Sequence, residues 1–92
     1  MSNRVRSPVI ALTLYSRPGC HLCDDMKATV DRVSRSMPGS ITVDEVDIST
    51  DRELEARYGL EIPVLLVNGR KAAKVRVTED ELRRVLAGRT KG

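Results

Sequence analysis

The sequence predicts one α/β domain, in which a four-stranded mixed sheet is flanked by helices. Two strand-like runs separated by a helix-like segment favour a parallel strand–helix–strand unit in the first half of the chain. Asn68-Gly69 lies between two further strand-like runs and is the strongest short signal for an antiparallel hairpin. Because the chain has only 92 residues, these elements form at most one domain, in the order β-α-β-α-β-β-α.

The first half of the chain supplies two strands and a long helix. Residues 9–15 are apolar almost without interruption, which predicts a strand that is buried on both faces. Pro18-Gly19 indicates a turn, and a helix is expected from Leu22 to about Ser36, where apolar residues recur on one stripe. Residues 41–48 are rich in β-branched side chains and predict the second strand.

A short helix is expected next. Residues 50–53 have the pattern of a capping box, with Thr50 as the first capping residue and Glu53 as the second. Leu54 and Tyr58 then fall on the inner side of the helix, and Gly59 ends it.

The hairpin and a last helix complete the domain. Strands are expected over residues 63–67 and 71–77, with inward residues alternating along the second one as Ala73, Val75 and Val77. Residues 78–81 form a second capping box, which begins a helix that ends at Gly88.

The ends of the chain set the expected domain bounds. We expect a disordered tail over residues 1–7, the domain over 8–88 and a C-terminal tail over 89–92. Arg4 and Arg6 precede an apolar run, as in a signal peptide, but cleavage after this short run would remove the first strand, so none is expected. No stretch approaches the roughly 20 apolar residues that cross a bilayer. We therefore expect a cytoplasmic monomer without a membrane partner.

The charge of the chain is modest. Sixteen Lys and Arg against 13 Asp and Glu give a net charge of +3, which is too small and too evenly interleaved to indicate a nucleic-acid partner. One basic cluster stands near the end of the chain, at Arg70, Lys71, Lys74 and Arg76. We interpret it as a solvated strand face, with a patch for an anion or an acidic partner as the alternative.

Cys20 and Cys23 carry the chemistry that the sequence suggests. They are the two cysteines of the chain, three positions apart, between a strand and a helix. Unsatisfied N–H groups at a helix N-terminus stabilise a thiolate, so Cys20 is the expected attacking thiol and Cys23 the resolving thiol. Arg17 and protonated His21 can lower the pKa of Cys20.

Other uses of the cysteine pair remain open at this point. An inert structural disulfide is one, and metal binding is another. A closed zinc site usually needs four ligands, whereas Cys20, His21 and Cys23 supply at most three, so no resident metal is expected. An iron–sulfur cluster shared between two chains needs only two thiolates from each.

Two motifs in this order resemble the thioredoxin superfamily, and within it a divergent group of small glutaredoxin-like proteins. They are residues 15–23 (YSRPGCHLC) and residues 58–69 (YGLEIPVLLVNG). The resemblance implies a thioredoxin-like fold and a cis peptide before Pro63. It also implies that the Ile62 backbone, Pro63 and Arg17 bind an extended peptide or glutathione.

The resemblance implies a dithiol–disulfide oxidoreductase that acts on protein disulfides or glutathione mixed disulfides. Glutathione is a possible co-substrate without a bound cofactor, and glutathione or a reductase is the electron donor. Two departures stand out: glutaredoxins usually have Pro-Tyr where this chain has His21-Leu22, and a Gly-Gly that residues 74–79 (KVRVTE) lack. The alternatives are an iron–sulfur-cluster-binding protein and a non-catalytic thioredoxin-fold binding module.

Overall fold

Four strands form one mixed sheet in the computed structural model, which describes residues 9–37 and 40–90. The strands are β1 (Val9–Ser16), β2 (Ser40–Asp47), β3 (Val64–Val67) and β4 (Arg70–Lys74), in the spatial order β2-β1-β3-β4. β2 runs parallel to β1, whereas β3 runs antiparallel to both β1 and β4. The predicted parallel unit and antiparallel hairpin are both confirmed.

Three helices connect or follow the strands. They are α1 (His21–Ser36), α2 (Arg52–Tyr58) and α3 (Glu79–Thr90), and a 3-10 turn (Ile48–Thr50) precedes α2. None of these helices has the length and apolar character needed to cross a bilayer. The tail expected over residues 1–7 lies outside the described residues, as do residues 91–92 of the other expected tail.

The main core lies between one face of the sheet and helices α1 and α3. Alternate residues of β1 face it, because side chains alternate along a strand. Its fully buried members are Ile10, Leu12, Leu14, Met26, Val30, Val33, Leu65, Val67, Leu82 and Leu86. Aliphatic side chains fill this core, in a chain that contains neither Phe nor Trp.

The other face of the sheet is covered unevenly. All four residues of β3 are buried, so this strand is covered on both faces. In β1, however, Ala11 is exposed and Thr13 and Tyr15 are half-buried. Tyr15 stacks on Tyr58 of α2, with the ring centroids 4.8 Å apart. The expectation that β1 is buried on both faces was therefore wrong, because a single seven-residue helix is too short to cover the whole sheet.

The hairpin turn and the start of α3 have the geometry that their residues predict. Asn68 and Gly69 have φ values of 51° and 85°, the positive pair that a two-residue hairpin requires. The Thr78 hydroxyl accepts a hydrogen bond from the Glu81 N–H at 3.1 Å, and the Glu81 carboxylate accepts one from the Thr78 N–H at 2.9 Å. Both predictions, the hairpin and the second capping box, are confirmed.

The prediction of a capping box at residues 50–53 was wrong. Asp51 caps α2, since its carboxylate accepts from the N–H groups of Glu53 and Leu54 at 3.0 and 3.1 Å. Thr50 lies in the preceding 3-10 turn, where its hydroxyl donates to the Asp47 carbonyl. An aspartate one residue later competes successfully because it is an equally good cap.

The last strand and helix also end at different positions from those expected. β4 ends at Lys74, and Val75 is exposed with a positive φ of 69°, so the predicted alternation through Val77 was wrong. α3 continues through Gly88 to Thr90, because glycine is unfavourable but tolerated within a helix.

Candidate active site

One end of the sheet gathers the residues that the sequence singled out. Ser16, the last residue of β1, lies opposite Asp47, the last residue of β2. Tyr15 lies opposite Val64, the first residue of β3, and Val64 lies opposite Lys74, the last residue of β4. The segments that follow Ser16, precede Val64 and follow Lys74 therefore meet at the same end of the sheet.

A tight turn delivers Cys20 to the start of α1. The Cys20 N–H donates to the Arg17 carbonyl at 3.3 Å, and Gly19 between them has a φ of 81°. Pro18 followed by a glycine with positive φ is the arrangement of a type II turn. The Pro18-Gly19 signal thus explains why the chain reverses at this point and leaves Cys20 as the helix N-cap.

The two cysteines occupy different environments, although the structure joins them in a disulfide with Cα atoms 5.2 Å apart. Cys20 is half-buried, and its Sγ accepts a hydrogen bond from the Cys23 N–H at 3.1 Å. Cys23 lies inside the first turn of α1 and is only 1% exposed. The less buried cysteine is therefore also the one whose sulfur an N-terminal N–H group of the helix can stabilise as a thiolate.

Arg17 is held by a residue that the sequence analysis did not identify. Its guanidinium binds the Glu55 carboxylate of α2 through both Nε, at 3.3 Å, and Nη2. Gly59 packs against this pair, since a Cβ at Gly59 would lie 2.6 Å from Glu55 Oε1 and 3.3 Å from Arg17 Nη2. The Glu55 carboxylate thus neutralises much of the positive charge of Arg17. No sequence motif indicated this pairing.

Asp47 also faces this region. Hydrogen bonds from the Ser49 hydroxyl and the Ser49 N–H hold its pKa below the ordinary value, and the positive charge of Arg17 lowers the pKa further. Arg17 therefore interacts with the carboxylates of two residues, Glu55 and Asp47, beside the cysteine pair.

Ile62 and Pro63 lie at the start of β3, and the peptide bond between them is cis, as the family resemblance implied. Pro63 is buried and Ile62 is half-buried. The Pro63 carbonyl accepts a hydrogen bond from the Val75 N–H at 2.7 Å, which ties this turn to the segment after β4. Only the tertiary structure brings Val75 to this place.

His21 is the first residue of α1 and is exposed. It lies next to Cys20 in the chain, on the solvent side of the helix start. This position agrees with a spacer or a tuner of the Cys20 thiol, the two roles that the sequence suggested.

Two clefts of opposite character flank the start of α1. One, of about 260 Å³, lies beside Arg17 and Gly19 and is lined by three carboxylates, Asp24, Glu45 and Asp47. The other, of about 250 Å³, lies between α1 and the segment after β4 and is mainly apolar. A substrate disulfide that reaches Cys20 can therefore meet an acidic surface on one side and an apolar groove on the other.

Comparison with known proteins identifies the family. The model of the glutaredoxin-like domain (DUF836) matches residues 11–87. The chain belongs to this glutaredoxin-like family. A comparison with curated proteins found no match.

Solved structures of other proteins share this fold. The X-ray structure of target protein XcR50 from X. campestris is 35% identical, with a TM-score of 0.69, and the match covers 84% of this chain and 96% of that one. Protein Ne2328 from Nitrosomonas europaea is 24% identical over 92% of this chain and 98% of that one, with a TM-score of 0.66.

A thioredoxin also has this fold. A mutant thioredoxin from Halobacterium salinarum is 21% identical, with a TM-score of 0.63, and the match covers 88% of this chain and 74% of that one. The predicted thioredoxin-like fold and the glutaredoxin-like family are thus both confirmed.

Proposed function

We propose that this glutaredoxin-like protein is a dithiol–disulfide oxidoreductase that reduces protein disulfides or glutathione mixed disulfides. The observation that carries the proposal is the asymmetry of the cysteine pair. Cys20 is half-buried and its sulfur caps the helix, whereas Cys23 is fully buried within one helical turn of it. This is the arrangement that an attacking thiol and a resolving thiol require.

The reaction proceeds in two exchanges. The Cys20 thiolate attacks one sulfur of the substrate disulfide, forms a mixed disulfide and releases the first substrate thiolate. The Cys23 thiolate then attacks the Cys20 sulfur, which releases the second substrate thiolate and leaves the Cys20–Cys23 disulfide. Two electrons have passed from the dithiol to the substrate, and reduced glutathione or a reductase returns them.

Other residues of the site are assigned to binding and tuning. The Ile62 backbone and Pro63 lie at the same end of the sheet as Cys20 and position an extended substrate. Arg17 and His21 adjust the Cys20 thiolate, and Arg17 also offers a guanidinium to a substrate carboxylate. Its bond to Glu55 has to be shared or released for that contact.

The setting of the reaction is also part of the proposal. Dithiols that cycle persist in a reducing compartment, so we place the protein in the cytoplasm. We also propose that it acts as a monomer. Its partners are disulfide-containing proteins or glutathione, and neither nucleic acid nor a membrane is required.

The reduction potential tests this proposal directly. The protein is equilibrated in graded glutathione buffers, and free thiols are trapped and counted by mass. We expect a two-electron transition between about −270 and −180 mV, the range of cycling dithiols. A pair that stays oxidised below about −300 mV is a structural disulfide and would refute the enzyme.

Other measurements distinguish the two alternative functions from the proposed oxidoreductase. A cluster shared between two chains predicts a coloured, iron-containing dimer after anaerobic purification, whereas the proposed enzyme is colourless and iron-free. A shared cluster needs both thiolates at the surface, and the burial of Cys23 supports the redox proposal instead. A non-catalytic binding module predicts that Cys20→Ser leaves the cellular function intact.

A further inference from the structure

The segment between β4 and α3, which faces Leu22 of the CxxC motif across a groove, has an unusual backbone. Val75 has a φ of 69°, and the Arg76 N–H donates to the Lys74 carbonyl at 2.7 Å across it. This is a γ-turn with positive φ at its centre, a rare conformation that β-branched side chains strongly disfavour. Residues in such conformations persist where the surroundings enforce them, and they cluster at functional sites.

The surroundings of Val75 show what enforces the turn. Its N–H is bound to the Pro63 carbonyl at 2.7 Å, so the backbone is fixed against the cis-proline turn. Its side chain is nevertheless 38% exposed, which makes it one of two large exposed apolar residues, with Leu60, among those that the structure describes. The turn therefore gains no burial for the valine and instead presents it at the surface.

The exposed Val75 forms one wall of the apolar groove of about 250 Å³. Leu22, which lies between the two cysteines in the chain, and Met26 give the opposite wall on α1 its apolar surface, and Asp25 and Thr29 also line that wall. Val77 adds to the wall of Val75, where Arg76 supplies a positive charge across the groove from Asp25. Because Leu22 is adjacent to Cys23 and two residues from Cys20, the groove lies within reach of an extended chain that is attached to the Cys20 sulfur.

The groove is continuous with a basic surface. Arg76 lines it and also lines the neighbouring groove between β4 and α3, together with Lys74 and Arg84. The one carboxylate that lines this neighbouring groove, Glu81, already accepts the Thr78 N–H at 2.9 Å. An occupant of this surface is therefore expected to be apolar near Val75 and acidic near Arg76.

We propose that the groove between Leu22 and Val75 binds an apolar side chain of a protein substrate, beside an acidic residue that faces Arg76. The proposal rests on the proposed oxidoreductase function and names its preferred substrate as an extended protein segment. The Val75 turn is a specificity element, which contacts the substrate but takes no part in the exchange of sulfur bonds.

Chromophoric peptides test the proposal. Each short peptide carries one cysteine in a mixed disulfide with thionitrobenzoate, and Leu or Ala is scanned over two positions on each side of that cysteine. We expect the wild-type protein to prefer Leu over Ala by about ten-fold in kcat/KM at one position. With Leu kept there, a neighbouring Glu should react faster than Lys, and salt should reduce that difference.

Three variants separate recognition from structure. Val75→Gly suits the positive φ and removes the side chain, so it should fold as stably as the wild type yet lose the Leu preference. Val75→Ile should retain the preference. Arg76→Gln should lose only the preference for Glu over Lys. Leu60→Ala is the matched control, because Leu60 is exposed and apolar but does not line the groove.

The outcomes that overturn the proposal are distinct. The absence of a Leu preference in the wild type, or an equal loss of it in Leu60→Ala, refutes recognition by the groove. An equal loss of reactivity in Val75→Gly toward peptides and toward dithiobis(nitrobenzoate) means that Val75 supports the cysteines instead. If the wild type reduces none of these disulfides, the proposed function itself fails.

Discussion

Residues with positive φ flank strand β4 at both ends, but only at one end are they residue types that adopt this conformation easily. At the hairpin end, Asn68 and Gly69 adopt φ values of 51° and 85°, which Asn and Gly accept easily. At the site end, Val75 adopts a φ of 69°, which valine does not. Asn and Gly fit the backbone of the hairpin turn and serve the fold, whereas the misfit of Val75, across the groove from Leu22, is what motivates its proposed role in substrate recognition.

The hairpin end is tied to strand β1, at a residue 57 positions away in the chain. The Asn68 side-chain oxygen accepts the Ala11 N–H at 2.9 Å, and the Asn68 N–H donates to the Ala11 carbonyl at 2.8 Å. The site end is held by the hydrogen bond between Val75 and Pro63 and by the ion pair between Arg17 and Glu55. Because the hairpin lies at the end of β3 and β4 opposite to the site, substitutions there should change stability, whereas substitutions at the site end should change activity.

The largest effect is expected at Cys20. Cys20→Ser should reduce disulfide reduction to the uncatalysed rate, because a hydroxyl cannot replace the attacking thiolate. The rate is measured with a small chromophoric disulfide. Stability of the reduced protein should change little, since Cys20 is half-buried. If the variant kept its activity, a residue other than Cys20 would have to be the nucleophile.

Cys23 provides the matched comparison. Cys23→Ser should still attack, but the mixed disulfide on Cys20 should accumulate, because no second thiol resolves it. Intact mass spectrometry after one turnover detects this adduct. If no adduct forms in Cys23→Ser but one forms in Cys20→Ser, the two roles are reversed.

A stability effect is expected next, at Gly69. Gly69→Ala should lower the free energy of unfolding by about 1–2 kcal/mol, because L residues are unfavourable at positive φ. No atom lies within 4 Å of the added Cβ, so the cost is conformational rather than steric. Denaturant unfolding measures it, and disulfide reduction by the variant should be unchanged.

Gly88 is the matched control for Gly69. Its added Cβ is equally unobstructed, but it lies in α3 without a positive φ. Gly88→Ala should therefore raise the free energy of unfolding by up to about 1 kcal/mol. Equal changes for the two alanine variants would contradict the conformational explanation.

A smaller effect, on the pKa of the Cys20 thiol, is expected from substitutions in the Arg17–Glu55 pair. Glu55→Gln removes the charge that Arg17 faces, so Arg17 should favour the Cys20 thiolate more strongly and lower its pKa. Arg17→Ala should raise that pKa. The pH dependence of iodoacetamide labelling measures both shifts, and shifts of the same sign would show that Arg17 does not act on Cys20.

The smallest effect concerns the pH dependence of stability. The hydrogen bond from Lys71 lowers the pKa of Glu61, with added attraction from the charges of Lys71 and Lys74. A lowered folded-state pKa means that this stabilisation is complete above the ordinary value of 4.5 and disappears as the pH falls through the lowered value. Glu61→Gln should therefore melt lower than the wild type at pH 7, and the difference should disappear once the pH has fallen below the lowered pKa. A difference that persists in acid would rule out the carboxylate charge as its cause.

The sequence by itself determined the order of elements, the Asn68-Gly69 hairpin and the position of Cys20 at the start of a helix. Each of these depends on local signals, such as side-chain period, turn residues and capping residues, which act over a few positions. The fold family followed from two such local motifs in the right order. The cap of α2 failed as a prediction because Thr50 and Asp51 are neighbouring candidates and only packing selects one of them.

The tertiary structure alone decided which distant residues surround the cysteines. Glu55 meets Arg17 across 38 positions of the chain, and Val75 meets Pro63 because β3 and β4 end side by side. It also left one face of β1 partly open, since the helix on that side is short. Contacts between distant residues depend on how strands and helices pack, and local patterns of sequence do not contain that information.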